Sequence, residues 1–193
     1  MAKRWQDDAI KASMMDELAP VRRSGVGGPD NRTDGISDLL LRAEGATVLD
    51  VGCNRGHVLF EFYRAGARLV HGCDIYAPGV QCARHWFAEL ASVRSRFEVT
   101  DLEKGIKPVI DAFGGEGYDI VLFLGVLHKL KRTTMTPAGW ENFTHRLGKM
   151  AHHYFAWSGE AEDLPMLDRA LAPKRRLHTS ELAKPGWPAA IWG

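Results

Sequence analysis

Short apolar segments alternate with segments whose apolar residues recur at helical spacing over most of this chain. The apolar runs predict strands at 47–51, 68–74, 96–100, 119–124 and 152–157, with late strands at 176–179 and 189–192. The helical spacing predicts helices at 37–41, 57–65, 79–90, 140–149 and 164–171. This order predicts an α/β fold, a single-domain, doubly wound, mainly parallel sheet of about seven strands with helices on both faces. A ligand is expected at the carboxyl ends of the first strands.

The first 35 residues differ from this pattern. Their apolar residues predict an amphipathic helix from about 5 to 18, which Pro20 closes, and a glycine-rich loop follows at 25–35. We interpret residues 1–35 as an N-terminal helix with a lid loop, and residues 36–193 as the ligand-binding core.

Composition limits the class of protein. An apolar content of 45% and a charged content of 25% in 193 residues are typical of one soluble globular domain. No apolar run reaches the roughly 18 residues of a membrane helix, and the acidic turn after Arg4 does not fit a signal peptide, so a cytoplasmic location is expected. The odd number of cysteines agrees with a reducing compartment. A net charge of +1 gives no strong nucleic-acid footprint.

The motif at 50–56, Asp-Val-Gly-Cys-Asn-Arg-Gly, follows the first predicted strand. Gly52 and Gly56 permit a tight turn and a close approach to a ligand just before the next helix begins. The spacing is not the G-x-G-x-x-G of dinucleotide-binding folds, which disfavours an NAD-dependent oxidoreductase. Asp50 would repel a pyrophosphate, but its carboxylate suits a ligand with an ammonium group, and S-adenosylmethionine carries one.

Two further acids follow the next strands. Asp74 ends the second strand 22 residues after Gly52, near the roughly 20-residue offset at which an acid reaches ribose hydroxyls. Capping of the next helix is the alternative role for Asp74. Asp101 follows the third strand, although an aspartate that merely opens a loop is also common.

These residues resemble the first motifs of the class I, Rossmann-like S-adenosylmethionine-dependent methyltransferases, and residues 118–128 resemble that family's fourth strand and the start of its catalytic loop. The resemblance covers about 48–130 well, and Asn54 departs from the glycine that is most common at the loop's centre. It implies S-adenosylmethionine as cofactor, with the methionine part lined by Asp50, Gly52, Cys53 and Gly56, the ribose held by Asp74, and the adenine bordered by Asp101 and Leu102. The adjoining candidates for cofactor binding are Asn54, His57, Ile75, Leu124 and Gly125.

His128 follows the fourth strand and is the candidate catalytic residue, since a histidine can take a proton from a hydroxyl near neutral pH. Lys129, Lys131 and Arg132 form a basic rim beside it, which either receives an acidic or phosphate-bearing substrate or is simply solvated. His152 and His153 would point to opposite faces of a strand, so no metal is expected.

The expected reaction is methyl transfer, to an oxygen of a small molecule or of a modified RNA nucleotide. The segment 124–128 lacks the Asn/Asp-Pro-Pro-aromatic motif that similar enzymes use on the amino groups of bases. Two alternatives use the same cofactor: another enzyme, such as a lyase or a non-methyl transferase, and a binding protein that has lost catalysis.

Overall fold

An interior strand of the sheet, β1 (Thr47–Val51), pairs in parallel with a strand on each side. The computed structural model describes residues 33–90, 93–114, 117–182 and 184–193. The helix expected at 5–18, and all but the last three residues of the 1–35 segment, lie outside the described residues.

Six further strands complete the sheet. They are β2 Leu69–Asp74, β3 Arg94–Val99, β4 Tyr118–Leu124, β5 Ala151–Ser158, β6 Arg176–Glu181 and β7 Pro188–Trp192. The spatial order is β3-β2-β1-β4-β5-β7-β6. The first five strands are parallel, and β7 runs antiparallel to both of its neighbours. The predicted α/β fold with a mainly parallel sheet of about seven strands is therefore confirmed.

Helices connect the parallel strands. They are α1 His57–Arg64, α2 Ala77–Ala88, α3 Lys107–Phe113, α4 Leu127–Leu130, α5 Pro137–Lys149 and α6 Leu164–Ala170. Short 3-10 turns lie at Ser37–Arg42, Leu102–Lys104 and Ala161–Asp163. The elements predicted within the described residues agree with these bounds to within three residues.

The pattern did not predict α3 and α4, which span seven and four residues. Neither is long enough to show a helical period in a window of about 11 residues. The α5 helix begins earlier than predicted because the Thr136 hydroxyl accepts a hydrogen bond from the Gly139 N–H at 3.2 Å. Proline at the first helical position fits this start, since its missing N–H would have no helical partner there.

The core packs on β1. Leu49 and Val51 are fully buried in a cluster that includes Phe123 of β4 and Leu147 of α5. The chain leaves β1 toward β2 on one side and reaches β4 on the other only after β3. A cleft therefore opens at the carboxyl end of β1, the usual position of a ligand in such sheets.

The turn that leaves β1 depends on Gly52. Its φ of +100° lies in the left-handed region, and a Cβ there would overlap the Cγ2 methyl of Val126. Gly45, just before β1, has a φ of +69° and nothing within 4 Å of an added Cβ. The two glycines thus share a backbone constraint, but only Gly52 also has a packing constraint.

We predict that Gly52→Ala destabilises the protein more than Gly45→Ala. The left-handed backbone should cost either variant about 1–2 kcal/mol, and the overlap with Val126 adds to this only at position 52. Urea unfolding of both variants measures the difference. Equal losses would contradict the close approach of Val126.

Candidate functional site

The loop between β1 and α1 is held by the backbone of β2. The N–H groups of Gly52 and Cys53 both donate to the Cys73 carbonyl, at 2.7 and 3.0 Å, and the Gly56 N–H donates to the Cys53 carbonyl at 2.8 Å. Asn54 adopts a φ of 50°, the left-handed conformation that a glycine would take freely. Asparagine tolerates this region better than most residues, so the departure noted in the sequence keeps the loop's turn.

Asp74 ties this loop to the start of α2. Its Oδ2 accepts a hydrogen bond from the Asn54 N–H at 2.8 Å, and its Oδ1 accepts one from the Tyr76 N–H at 2.8 Å. Each carboxylate oxygen keeps a further lone pair, so the ribose role and the helix-start role are compatible. Ile75 and Tyr76 are 62% and 45% exposed, which leaves an apolar surface beside Asp74.

Asp50 is the buried carboxylate of the site, only 3% exposed. Burial, together with the negative charge of Asp74, raises the pKa of Asp50 to about 7. No cation or hydrogen-bond donor among the described residues offsets this cost. Asp50 is therefore a place where a positively charged ligand group would be stabilised.

Asp101 lies beyond β3 and begins a 3-10 turn. Its Oδ1 accepts a hydrogen bond from the Glu103 N–H at 3.0 Å, and its Oδ2 lies 3.5 Å from the Lys104 Nζ. The following Leu102 is buried. The Thr100 N–H donates to the Asp74 carbonyl at 3.0 Å, which joins the ends of β3 and β2. The three acids singled out in the sequence thus lie at the same edge of three adjacent strands.

The end of β4 forms the other wall of the cleft. The Gly125 N–H donates to the Ser158 carbonyl of β5 at 2.9 Å, and Leu124 pairs with Ser158 in the sheet. Gly125 has a φ of +63°, with nothing within 4 Å of an added Cβ, so the space beside it is open.

His57 opens α1, and its ring packs edge-on against Trp86 of α2 with 6.0 Å between the ring centroids. This contact fixes the side of the helix on which the ring lies. Its expected contact with the cofactor stays a prediction.

His128 lies in α4, one turn of helix, rather than in the loop that was expected after β4. Its ring is half-buried and packs edge-on against Trp187, with 4.7 Å between the centroids. Burial lowers the pKa of His128, and the nearby charges of Lys129 and Arg132 lower it further. The imidazole is therefore neutral near pH 7 and can accept a proton.

The three cations of the basic rim have different surroundings in the structure. Lys131 Nζ lies 2.7 Å from carboxylate oxygens of Glu160 and Glu162, and 3.0 Å from one of Asp163. The expectation that Lys131 could bind an acidic substrate is therefore wrong, because its ammonium group is already paired with three carboxylates. Lys129 and Arg132 are exposed.

Sequence reasoning missed two residues of this wall, Lys184 and Trp187. Lys184 Nζ lies 3.4 Å from the centroid of the Trp187 ring. Both belong to the turn between β6 and β7, about 60 positions after His128. Only the antiparallel pairing of β7 with β5 brings this turn to the cleft, and no local sequence signal encodes that pairing.

No group of three or more His, Cys, Asp or Glu side chains within residues 33–90, 93–114, 117–182 and 184–193 could hold a metal ion. No helix in that part of the chain is long and apolar enough to cross a bilayer.

A protein-family model described as a methyltransferase domain matches residues 48–147. A search of curated proteins gives no match. The magnesium protoporphyrin IX methyltransferase from Synechocystis PCC 6803, solved with bound SAM (S-adenosylmethionine), is 19% identical and has a TM-score of 0.65, over 100% of this chain and 95% of that chain.

Two further solved structures are similar. The TehB-like SAM-dependent methyltransferase from Corynebacterium glutamicum is 16% identical, with a TM-score of 0.61 over 98% of each chain. The ribosomal protein L11 methylase from Lactobacillus delbrueckii subsp. bulgaricus is 16% identical, with a TM-score of 0.59 over 81% of this chain and 77% of that chain. At these identities the likeness shows a common fold.

The raised pKa of Asp50 yields a prediction on stability. The folded carboxyl titrates near 7 and the unfolded one near 3.8, so the folded state binds more protons in between and loses stability as pH rises from about 4 to about 7. Asp50→Asn removes this cost. Its stabilisation at pH 8 should exceed that at pH 5 by on the order of 2 kcal/mol, as measured by urea unfolding.

The matched control is Asp111→Asn, which removes an exposed carboxylate that pairs with Lys107 on α3. This change should shift stability by less than about 1 kcal/mol at either pH. An equal effect of Asp50→Asn at both pH values would contradict the raised pKa.

Proposed function

The chain belongs to the class I S-adenosylmethionine-dependent methyltransferases, whose domain model its residues 48–147 match, and we propose that it methylates an oxygen of a small molecule or a modified RNA nucleotide. Its methyl donor is S-adenosylmethionine. The observation that carries the proposed acceptor atom is the position of His128, a neutral, half-buried imidazole just beyond β4.

The residues at the carboxyl edge fit the donor. Asp50 is a buried carboxyl group with no cation beside it among the described residues, and the donor's ammonium group would supply one. The exposed Ile75 offers an apolar surface beside Asp74, and the open space at Gly125 leaves room for the sulfur end. We assign the methionine part to Asp50, Gly52, Cys53, Asn54, Gly56 and His57, the ribose to Asp74 and Ile75, the adenine to Asp101 and Leu102, and the sulfonium end to Leu124 and Gly125.

In the proposed reaction the acceptor oxygen forms a bond to the methyl carbon while the carbon–sulfur bond breaks. S-adenosylmethionine supplies that methyl group from a sulfonium, which leaves as the neutral thioether S-adenosylhomocysteine. His128 accepts the hydroxyl proton, and its lowered pKa keeps the ring neutral for this role. Trp187 covers one side of the imidazole and limits the access of water.

We predict pH-dependent binding of S-adenosylmethionine. The ammonium group favours ionised Asp50, so binding should release a proton near pH 7. The association constant should rise about tenfold from pH 6 to pH 8. Isothermal titration calorimetry in buffers of different ionisation enthalpy measures both the affinity and the released proton.

Two variants sharpen this experiment. Asp50→Asn should bind the donor weakly and without proton release, whereas Asp111→Asn, an exposed change, should behave like the wild type. NAD serves as the control ligand. Absence of binding by the folded wild-type protein would overturn the proposed site.

We predict that His128→Gln lowers kcat for an oxygen acceptor about 10²- to 10⁴-fold and leaves donor affinity within about twofold, because only proton removal is lost. The reaction is followed by the formation of S-adenosylhomocysteine with a panel of hydroxyl compounds. His85→Gln, an exposed change on α2, is the matched control and should keep full activity.

The products also separate the alternatives. Another product from the donor would indicate a lyase or a non-methyl transferase, and donor binding without any product would indicate a binding protein. Equal turnover by His128→Gln and the wild type would rule out His128 as the base.

A further inference from the structure

The turn between β6 and β7 is fixed against the end of β5. The Gly159 N–H donates to the Pro188 carbonyl at 3.2 Å, and the Ala161 N–H donates to the Gly186 carbonyl at 3.0 Å. Within the turn, the Trp187 N–H donates to the Lys184 carbonyl at 3.1 Å. These hydrogen bonds fix the turn, whose Trp187 indole packs against His128. The turn therefore belongs to the same wall of the cleft as the end of β4.

Three cationic side chains lie around this wall, and one of them, Arg132, interacts electrostatically with Glu160. Lys129, Arg132 and Lys184 are exposed, and none of them forms an ion pair with another described residue. The Lys184 ammonium lies over the face of Trp187 instead.

One acid also faces His128. Glu160 raises the pKa of the imidazole, while Lys129, Arg132 and Lys184 each lower it. Because Glu160 is bound to Lys131, these two charges offset each other locally. Lys131 is also bound by Glu162 and Asp163, so Lys131, Lys129, Arg132 and Lys184 together exceed the three carboxylates of this region by one formal charge.

We propose that the methyl acceptor carries an anionic group, a carboxylate or a phosphate, which Lys184, Lys129 and Arg132 bind beside His128. Like charges held close together repel one another, and an anion between them would convert this repulsion into attraction. The lysine and arginine side chains are long enough to adjust to the position of the anion, while the Trp187 indole keeps its place beside His128. The inference rests on the proposed methyl transfer, because it concerns the acceptor of that same site.

We predict that small anions raise the pKa of His128, which nuclear magnetic resonance measures from the imidazole Cε1–H signal. The probes are inorganic phosphate, benzoate and benzamide at constant ionic strength, and the His128→Gln spectrum assigns the signal. Phosphate or benzoate should raise the pKa of His128 in a saturable manner, because the bound anion stabilises the imidazolium. Benzamide, which has the shape of benzoate but no charge, should leave it unchanged.

Variants locate the anion. Lys184→Gln should weaken the effect of the anion at least threefold, and Lys149→Gln, an exposed change on α5, should not. No shift with either anion, an equal shift with benzamide, or an equal loss in Lys149→Gln would each overturn the proposal.

Adenosine monophosphate and adenosine form a second matched pair of probes. A stronger effect of the nucleotide than of benzoate would indicate a nucleotide acceptor, and a stronger effect of benzoate would indicate a small carboxylate.

Donor calorimetry on the same sample keeps the two conclusions separate. If S-adenosylmethionine binds but the anions have no effect, only the anionic acceptor is wrong. If the anions bind at Lys184 but S-adenosylmethionine does not, the assigned donor site is wrong and the anion site stands.

Discussion

The parallel pairing of β1 between β2 and β4 is the constraint on which the rest of the structure depends. A central strand with parallel partners on both sides forces the chain to leave it toward one side and to return on the other. The carboxyl ends of the strands then meet at one edge, and Asp50 and Asp74 come together there. The left-handed turn at Gly52 is a direct consequence, since the chain must leave β1 sharply beneath Val126.

This edge has two halves of opposite electrostatic character. Toward β2, burial of Asp50 beside Asp74 concentrates negative charge and raises the pKa of the buried carboxyl. Toward β4 and β7, burial and nearby cations lower the pKa of His128. Burial disfavours the charged form in both cases, so it leaves the acid partly protonated and the base neutral. The Asp50 side is suited to a cationic donor. The His128 side is suited to an acceptor that loses a proton.

The sequence predicted those features that local pattern encodes. The strands, the longer helices and the glycine loop follow from hydrophobic period and turn chemistry, and Asn54 does adopt the unusual dihedral that its position demands. The short helix that carries His128 was missed because four residues show no period. The placement of Trp187 and Lys184 depends on the pairing of β7 with β5, which is a contact between distant segments. Local pattern contains no information on such a contact.

The lysines show why composition alone misjudges a basic rim. In the sequence Lys129 and Lys131 look equivalent, yet only Lys131 is surrounded by carboxylates. One of these, Glu160, lies between the two residues whose N–H groups hold the β6–β7 turn. Lys131 thus joins the end of α4 to the segment after β5, and that segment in turn holds the turn of Trp187 and Lys184. Lys131 is thus occupied by carboxylates, whereas Lys129, Arg132 and Lys184, which form no ion pair with another described residue, are the cations that the proposed anionic acceptor would meet.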